Sequence, residues 1–246
     1  MSEITHRRIF IGDVHGHYDG LMVLLDAVAP GADDHVYFVG DLIDRGPQSA
    51  DVVEFVRQSG YGCVLGNHEQ LLLDSFPNGR HNKAALEAWL YSGGRATMAS
   101  YGKAGIPMAH LEWMRRLPLY LDLGDIWLVH AGVEPNLPLE KQTPEQFCWI
   151  REEFHRSTKP YFPDKLIITG HTITFTLPGV AAGELAQGQG WLDIDTGVYH
   201  PISGWLTGVD ITEQKVYQVN VFQYSIRTLP LDEAIRQIQP ERVLMK

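Results

Sequence analysis

The sequence is poor in cysteine, in long apolar runs and in positive charge. Its two cysteines, Cys63 and Cys148, lie far apart in apolar segments, which excludes a disulfide framework and a cysteine-rich zinc site. No apolar run approaches the length that a membrane-spanning helix needs, so we expect no membrane partner. Residues 1–8 lack the pattern of a secretory signal, and a cytoplasmic location is therefore expected.

The deficit of positive charge bears on possible partners. The chain has 20 Lys and Arg against 30 Asp and Glu, which gives a formal net charge of −10. Because a nucleic-acid backbone is bound by a broad basic surface, we expect no nucleic-acid partner. With 246 residues, 44% of them hydrophobic, the chain can bury a sizeable core, and no linker is evident. One domain is predicted over residues 1–246.

The hydrophobic pattern predicts an α/β fold. Strands at 8–11, 35–39 and 61–65 are separated by two segments with helical spacing. A mostly helical segment at 71–116 is predicted to form a small cap. Further strands are predicted at 119–123, 126–129, 166–169, 191–194, 204–209 and 215–219, and loops at 135–144 and 178–190. So many strands favour a four-layer, two-sheet β-sandwich flanked by helices over one parallel sheet.

Short motifs rich in Asp, His and Asn follow the predicted strands. The first three strands are followed by GDVHG (12–16), GDLIDRG (40–46) and GNHE (66–69). Two later strands lead into VHAG (129–132) and GHT (170–172). Because the carboxyl ends of strands in an α/β sheet converge on one crevice, these side chains are expected to meet there.

This combination of side chains suits divalent metal ions. Carboxylate, amide and imidazole groups without a thiolate favour manganese, iron or zinc. Asp41 follows the middle of three strands and is the best candidate for a carboxylate that bridges two ions. Two ions about 3.5–4 Å apart can share a hydroxide and clamp a phosphoryl group during in-line hydrolysis.

Each motif taken alone also has a structural explanation. Asp13 and His15 could form a polar turn, and the carboxylates and amide of the next two motifs could cap helices. His130 and His171 could be histidines of the core with satisfied hydrogen bonds. The occurrence of all the motifs in one chain favours a metal site over these separate explanations.

In their order along the chain, the motifs resemble those of the phosphoprotein phosphatases within the calcineurin-like metallophosphoesterases, especially their short bacterial and phage branch. The resemblance also includes Trp149-Ile150-Arg151 and Asp195-Thr196-Gly197, and it covers roughly residues 8–200. It implies the calcineurin-like fold and two divalent metal ions. Manganese is favoured for activity in vitro, with iron and zinc as alternatives.

The resemblance also implies roles for individual residues. The ligands that it implies are Asp13, His15 and Asp41 for one ion, and Asp41, Asn67, His130 and His171 for the other. Arg45 and Arg151 would bind the phosphate oxygens. His68 would protonate the leaving group, and Asp44 would orient His68. An imidazolium in this role lowers the barrier for a poor leaving group such as an alkoxide.

Three functions fit this pattern. The first is a protein phosphatase that acts on phosphoserine or phosphothreonine, with phosphotyrosine as a further substrate, and its partner would be a phosphoprotein or phosphopeptide. The second is a symmetrical diadenosine tetraphosphate hydrolase, whose family resembles this chain but usually has alanine in place of Asp44 and aspartate in place of Glu69. Asp44 and Glu69 therefore favour the phosphatase. The third is a non-catalytic phosphate-docking module, which predicts decayed motifs that this sequence does not show.

Several residues are predicted to lie outside the site. Histidines without a comparable motif are His6, His17, His35, His81, His110, His155 and His200. Glu69 is expected to favour the start of a helix. Gly93-Gly94 is expected to break a helix, which is favoured over a groove lined by Arg95. Asp195-Thr196-Gly197 is expected to shape a loop beside the site.

Overall fold

Two six-stranded sheets pack face to face in the computed structural model, which describes residues 6–77 and 82–243. The first sheet contains, in spatial order, β11 (Ser225–Pro230), β10 (Lys215–Asn220), β9 (Trp205–Asp210), β1 (Arg8–Ile11), β2 (His35–Phe38) and β3 (Gly62–Cys63). The second contains β12 (Ile235–Gln237), β7 (Leu185–Gly188), β8 (Trp191–Asp193), β6 (Leu166–Thr169), β5 (Ile126–Val129) and β4 (Tyr120–Asp122).

Helices cover the outer faces of the sheets. Helices α1 (Tyr18–Val28) and α2 (Ser49–Ser59) connect the first three strands. The cap segment contains α3 (Asn67–Ser75), α4 (Lys83–Trp89), a turn kinked at Gly93 (Leu90–Gly94), α5 (Arg95–Tyr101) and α6 (Met108–Met114). The remaining helices are α7 (Pro144–Trp149), α8 (Glu152–His155) and α9 (Leu231–Ala234). Within the described ranges no helix is both long and apolar enough to cross a membrane.

Strand β1 shows how the layers are held together. Its side chains alternate between the two faces of the sheet. Ile9 and Ile11 join the core under α1 and α2, whereas Phe10 joins the core between the sheets. All three side chains are fully buried, and each such burial stabilises the fold by about 1.5–3 kcal/mol.

The direction of the central strands places the candidate site. β1 and β2 are parallel, as are β2 and β3, so their carboxyl ends lie at one edge of the first sheet. β5 and β6 are parallel in the second sheet. The segments that follow these five strands contain the motifs identified in the sequence, and they meet across the ends of both sheets.

The expected α/β architecture of two sheets flanked by helices is confirmed. The boundaries differ in places. β3 is limited to Gly62–Cys63 instead of 61–65, because Leu65 N–H bonds to Pro118 O outside the sheet. The expected loop at 178–190 contains β7, whose glycine-rich ends obscured the pattern. The edge strand β11 was not predicted. Its alternate side chains are only partly buried and the others are exposed, so it lacks a clear apolar pattern.

Candidate metal centre

The candidate site is assembled from the segments that follow parallel strands. Asp13 and His15 follow β1, and Asp41 follows β2. Asn67 begins α3 four residues after the end of β3, and the same helix start brings His68 to the centre. The two sheets contribute jointly, since the segments after β5 and β6 supply His130 and His171. All of these predicted side chains are buried. They form one cluster, in which Asp13 Oδ2 lies 3.9 Å from His15 Nε2.

Asp41 lies at the middle of the centre. It belongs to two groups of side chains that could hold a metal ion, one with His15 and His68 and the other with His130 and His171. Its Oδ2 is 3.6 Å from His15 Nε2, and its Oδ1 is 3.4 Å from His130 Nε2. The two oxygens of one carboxylate therefore face the two groups, a position from which Asp41 could bridge two ions.

Hydrogen bonds orient the remaining ligand atoms. Nδ1 of His15 lies 2.8 Å from Ile43 O, and Nδ1 of His130 lies 2.7 Å from Val39 O, so each ring directs Nε2 toward the carboxylates. Asn67 Oδ1 lies 2.9 Å from His130 Nε2 and 2.9 Å from His171 Nδ1. A backbone partner on the opposite ring nitrogen is a common feature of histidines that bind metal.

The electrostatics of the cluster fit divalent cations. Burial, together with Asp195 and Asp41, raises the pKa of Asp13 well above its ordinary value. Burial would also raise the pKa of Asp41, but His130, His68 and His15 lower it overall. Burial lowers the pKa of His15 well below its ordinary value, which favours the neutral ring that can bind a metal. The raised pKa of Asp13 reflects the cost of burying its negative charge beside other acids, a cost that a bound metal cation would offset.

Glu69 has a larger role than the start of a helix. Its carboxylate accepts the backbone N–H of Asp41 at 2.9 Å, of Leu42 at 2.8 Å and of Gly66 at 3.1 Å. It therefore fixes the loop of the bridging candidate against the start of α3. Sequence patterns predict Glu69 only as a helix-favouring residue, because the N–H groups that it accepts, 27 and 28 positions away, are tertiary contacts.

We expect Glu69→Gln to weaken metal binding. The amide would turn its NH₂ group toward backbone N–H donors, and the Asp41 loop would lose part of its support. Loss of such a supporting partner typically lowers metal affinity by about 10- to 100-fold. Calorimetric titration with Mn²⁺ would measure the change. Glu145→Gln, an exposed acid in the first turn of α7, is the matched control; equal affinities in both variants would contradict the prediction.

His68 and Asp44 form a buried pair beside the metal groups. His68 Nδ1 lies 2.7 Å from Asp44 Oδ2, and both side chains are almost completely buried. Burial would lower the pKa of His68, but Asp41 and the bond with Asp44 raise it overall. Arg45 Nη2 lies 3.0 Å from His68 Nε2, on the opposite side of the ring.

The two predicted arginines line a cavity of about 610 Å³ above the metal groups. Arg45 packs on the ring of Tyr199, with its guanidinium carbon 3.9 Å from the ring centroid. Arg151 donates to His171 O and Thr172 Oγ1, both at 3.1 Å. Tyr199 has no motif in the sequence, and its contact with Arg45 depends on the tertiary fold.

Strained backbone is concentrated at this centre. Left-handed φ angles are uncommon for residues with a Cβ, and they often mark functional sites. Such angles occur at His15 (45°), Asp41 (49°), Asp44 (73°), Arg45 (70°) and His171 (69°). The described chain has only three other non-glycine residues in this region, namely Ala29, Gln214 and Tyr224.

The structure also corrects the expected border of the site. His155, predicted to lie outside, is buried in the cavity wall with its Nε2 3.5 Å from Asp193 Oδ2. Arg95 lines a second groove beside Arg45. The expected helix break is confirmed, because Gly93 has a φ of 125° and kinks the chain between α4 and α5. None of the described histidines that were predicted to lie outside the site, His155 included, belongs to a candidate metal group. His81 lies outside the described residues.

The expected loop at 195–197 borders the cavity. Asp195 Oδ1 accepts the backbone N–H of Gly197 at 2.9 Å, and Thr196 Oγ1 donates to Trp205 O at 2.7 Å. Burial raises the pKa of Asp195 to about 6, with Asp41 adding to the effect. Asp195 therefore adds another acid to the wall of the site.

Comparison with known proteins adds a family and several relatives. The family model described as "Calcineurin-like phosphoesterase" matches residues 6–208. A symmetrical bis(5'-nucleosyl)-tetraphosphatase from Escherichia coli O17:K52:H18 is 36% identical over 163 residues, which are 63% of this chain and 54% of that protein. The corresponding enzyme from Salmonella paratyphi C is 36% identical over 135 residues, covering 53% of this chain and 44% of that protein. The chain thus spans about half the length of the curated relatives it matches.

Solved structures share the fold over most of the chain. A structure described as a putative diadenosine tetraphosphatase has a TM-score of 0.63 and 21% identity, and the match covers 94% of this chain and 96% of that one. A cold-active protein tyrosine phosphatase has a TM-score of 0.55 and 18% identity, with coverages of 91% and 78%. A protein serine/threonine phosphatase from Saccharomyces cerevisiae has a TM-score of 0.51 and 16% identity, with coverages of 91% and 79%.

Proposed function

The chain belongs to the calcineurin-like phosphoesterase family, and from this premise we propose that it hydrolyses phosphomonoesters of proteins, with phosphoserine and phosphothreonine as its main substrates. The observation that carries the proposal is the buried Asp44–His68 pair at 2.7 Å. A serine or threonine alkoxide is a poor leaving group, and a positioned acid that protonates it contributes about 10²- to 10⁴-fold to the rate.

The metal ligands proposed are Asp13, His15 and Asp41 for one ion, and Asp41, Asn67, His130 and His171 for the other. Two divalent ions, when bound, polarise the phosphoryl oxygens and activate the attacking water. Manganese suits the oxygen and imidazole donors and is the proposed ion for activity in vitro, with iron and zinc as alternatives.

The cavity places the other groups around the phosphate. We assign Arg45 and Arg151 to the phosphoryl oxygens, because a guanidinium can donate two parallel hydrogen bonds to such a group. Arg45 now contacts His68 Nε2 at 3.0 Å. The Arg45 side chain therefore has to turn toward the phosphate. Only then can His68 Nε2 hold the proton that His68 donates to the leaving group.

The proposed bond changes follow from these positions. The oxygen of water forms a new bond to phosphorus as the bond between phosphorus and the serine oxygen breaks. The electron pair of the broken bond stays on the serine oxygen, and the proton of His68 Nε2 neutralises it. The attacking water keeps one hydrogen on the new phosphate and loses its other proton, and uptake of one proton from solvent restores the acid form of His68. Asp44 accepts from His68 Nδ1 throughout, so it holds the ring in place and stabilises its positive charge.

Symmetrical hydrolysis of diadenosine tetraphosphate is the second candidate. It is favoured by the curated relatives, which are named for that activity and are 36% identical to this chain over 53% and 63% of its length. These relatives support the dinucleotide more directly than they support a phosphoprotein. The leaving group in that reaction is a nucleoside diphosphate, which departs as a stabilised anion and needs less help from an acid than an alkoxide does.

A direct comparison of substrates tests the proposal. The protein in Mn²⁺ would be assayed for phosphate release from peptides containing phosphoserine, phosphothreonine or phosphotyrosine, and for conversion of diadenosine tetraphosphate to ADP. We expect a higher kcat/KM for the phosphoserine and phosphothreonine peptides. A preference for the dinucleotide would replace the first candidate with the second. Binding of phosphopeptide and metal without any turnover would instead support a docking module.

A further inference from the structure

The side chain of Asp44 is held mainly from the cap. Trp89 Nε1 donates to Asp44 Oδ2 at 2.9 Å, and its distance to Oδ1 is 3.1 Å. The Thr97 hydroxyl donates to Asp44 Oδ1 at 2.6 Å and accepts the backbone N–H of Asp44 at 2.9 Å. Together with His68, these two cap residues occupy both oxygens of a carboxylate that is fully buried.

The cap contacts lie on both sides of a kink in the helical segment. Trp89 ends α4 and Thr97 lies in α5, and Gly93, with a φ of 125°, lies at the kink between them. Gly93 O accepts the backbone N–H of Arg45 at 3.3 Å. A Cβ at position 93 would lie 2.8 Å from Arg45 Cγ, so glycine allows the cap to approach this closely.

These contacts do more than satisfy buried groups in a core. Both cap donors converge on the Asp44 carboxylate, which positions His68, the proposed acid. Gly93 contacts Arg45, the residue after Asp44, which is proposed to bind the phosphate. Asp44 and Arg45 have φ angles of 73° and 70°, a conformation that needs support from its surroundings. The cap supplies that support to the backbone and the side chain together.

We infer that Trp89 and Thr97 are positioning residues for the proposed reaction, acting on His68 through Asp44. The inference rests on the proposed function, because it assigns the cap to the step in which the leaving group is protonated. Loosening Asp44 should let the His68 ring rotate away from the leaving oxygen. Catalysis should then fall most for substrates that need a proton and least for those that do not.

The test compares two small substrates that differ in leaving group. Phenyl phosphate releases a basic phenolate that benefits from protonation, whereas 4-nitrophenyl phosphate releases a stabilised anion. Thr97→Val keeps the shape of the side chain and removes only the hydroxyl. We expect it to lower kcat for phenyl phosphate by about 10-fold or more, part of the contribution of a general acid. The kcat for 4-nitrophenyl phosphate and both KM values should change little.

Matched variants separate positioning from a general loss of structure. Thr97→Ser retains the hydroxyl and should restore most of the rate on phenyl phosphate. Trp89→Phe keeps an aromatic ring without the N–H and should resemble Thr97→Val. Ser100→Ala is the control, because Ser100 Oγ joins α5 to the body by accepting Ala50 N–H at 2.9 Å and makes no contact with Asp44. Equal losses on both substrates in Thr97→Val, or the same pattern in Ser100→Ala, would overturn the inference.

A readout without turnover distinguishes this inference from the proposed function. The proton of the His68–Asp44 hydrogen bond can be assigned by proton NMR through its disappearance in Asp44→Asn. Its resonance should shift in Thr97→Val and return toward the wild-type position in Thr97→Ser. If the wild type hydrolyses no phosphomonoester but these shifts occur, the proposed function fails while the positioning role stands. An unchanged resonance in Thr97→Val would refute the positioning role even in an active phosphatase.

Discussion

Replacement of Asp41 by Asn is expected to lower kcat/KM by on the order of 10³-fold or more, or about 4 kcal/mol of transition-state stabilisation. Asp41 is the one residue shared by both candidate metal groups, and its two oxygens face different histidines. Asn keeps the size of the side chain but has one oxygen and no charge. It can therefore bind only one ion well, and the arrangement of two ions is lost.

Two measurements check this prediction. Bound manganese, determined by elemental analysis after gel filtration, should fall along with kcat/KM for the best substrate. Asp33→Asn is the matched control, because Asp33 is exposed in the turn before β2. A variant at position 41 that retains the wild-type metal content and rate would exclude Asp41 as the bridging ligand.

His68→Asn should show a loss that depends on the leaving group. Asn cannot transfer a proton to an alkoxide, so kcat on a phosphoserine peptide is expected to fall by about 10²- to 10⁴-fold. The loss on 4-nitrophenyl phosphate should be much smaller, since its leaving group is a stable anion.

The comparison uses steady-state rates in saturating Mn²⁺, with His35→Asn as the control for loss of a ring from the exposed end of β2. Similar losses on the peptide and on 4-nitrophenyl phosphate would show that His68 acts in metal or phosphate binding. A full rate on the peptide would remove the basis for assigning the Asp44–His68 pair to protonation of the leaving group.

The residues of the candidate metal centre are easier to predict from sequence than the residues that support them, for a physical reason. Ligand residues such as Asp13 and Asn67 lie within four positions of the end of a short strand, and parallel strands bring their carboxyl ends to one place. Both the chemistry and the approximate position could therefore be inferred locally. The fold class followed from the same alternation of strand and helix patterns.

The supporting residues could not be inferred in this way. Trp89 and Thr97 contact Asp44 across 45 and 53 positions, and in the sequence they look like ordinary residues of a helical face. Tyr199 and His155 are brought to the cavity by loops and a short helix without a motif. Their roles depend on tertiary contacts that periodicity does not encode.

The residues of the centre with left-handed φ angles also indicate where substitutions that raise thermostability would cost activity. A residue with a Cβ held in that conformation costs about 1–3 kcal/mol, so glycine at these positions could relieve strain. The same exchange would remove a proposed metal ligand, acid partner or phosphate ligand. Selection for thermostability alone would therefore favour glycine at these positions of the candidate site. The resulting variants are expected to be stable but inactive. At this centre, activity and thermostability impose opposing demands on the same residues.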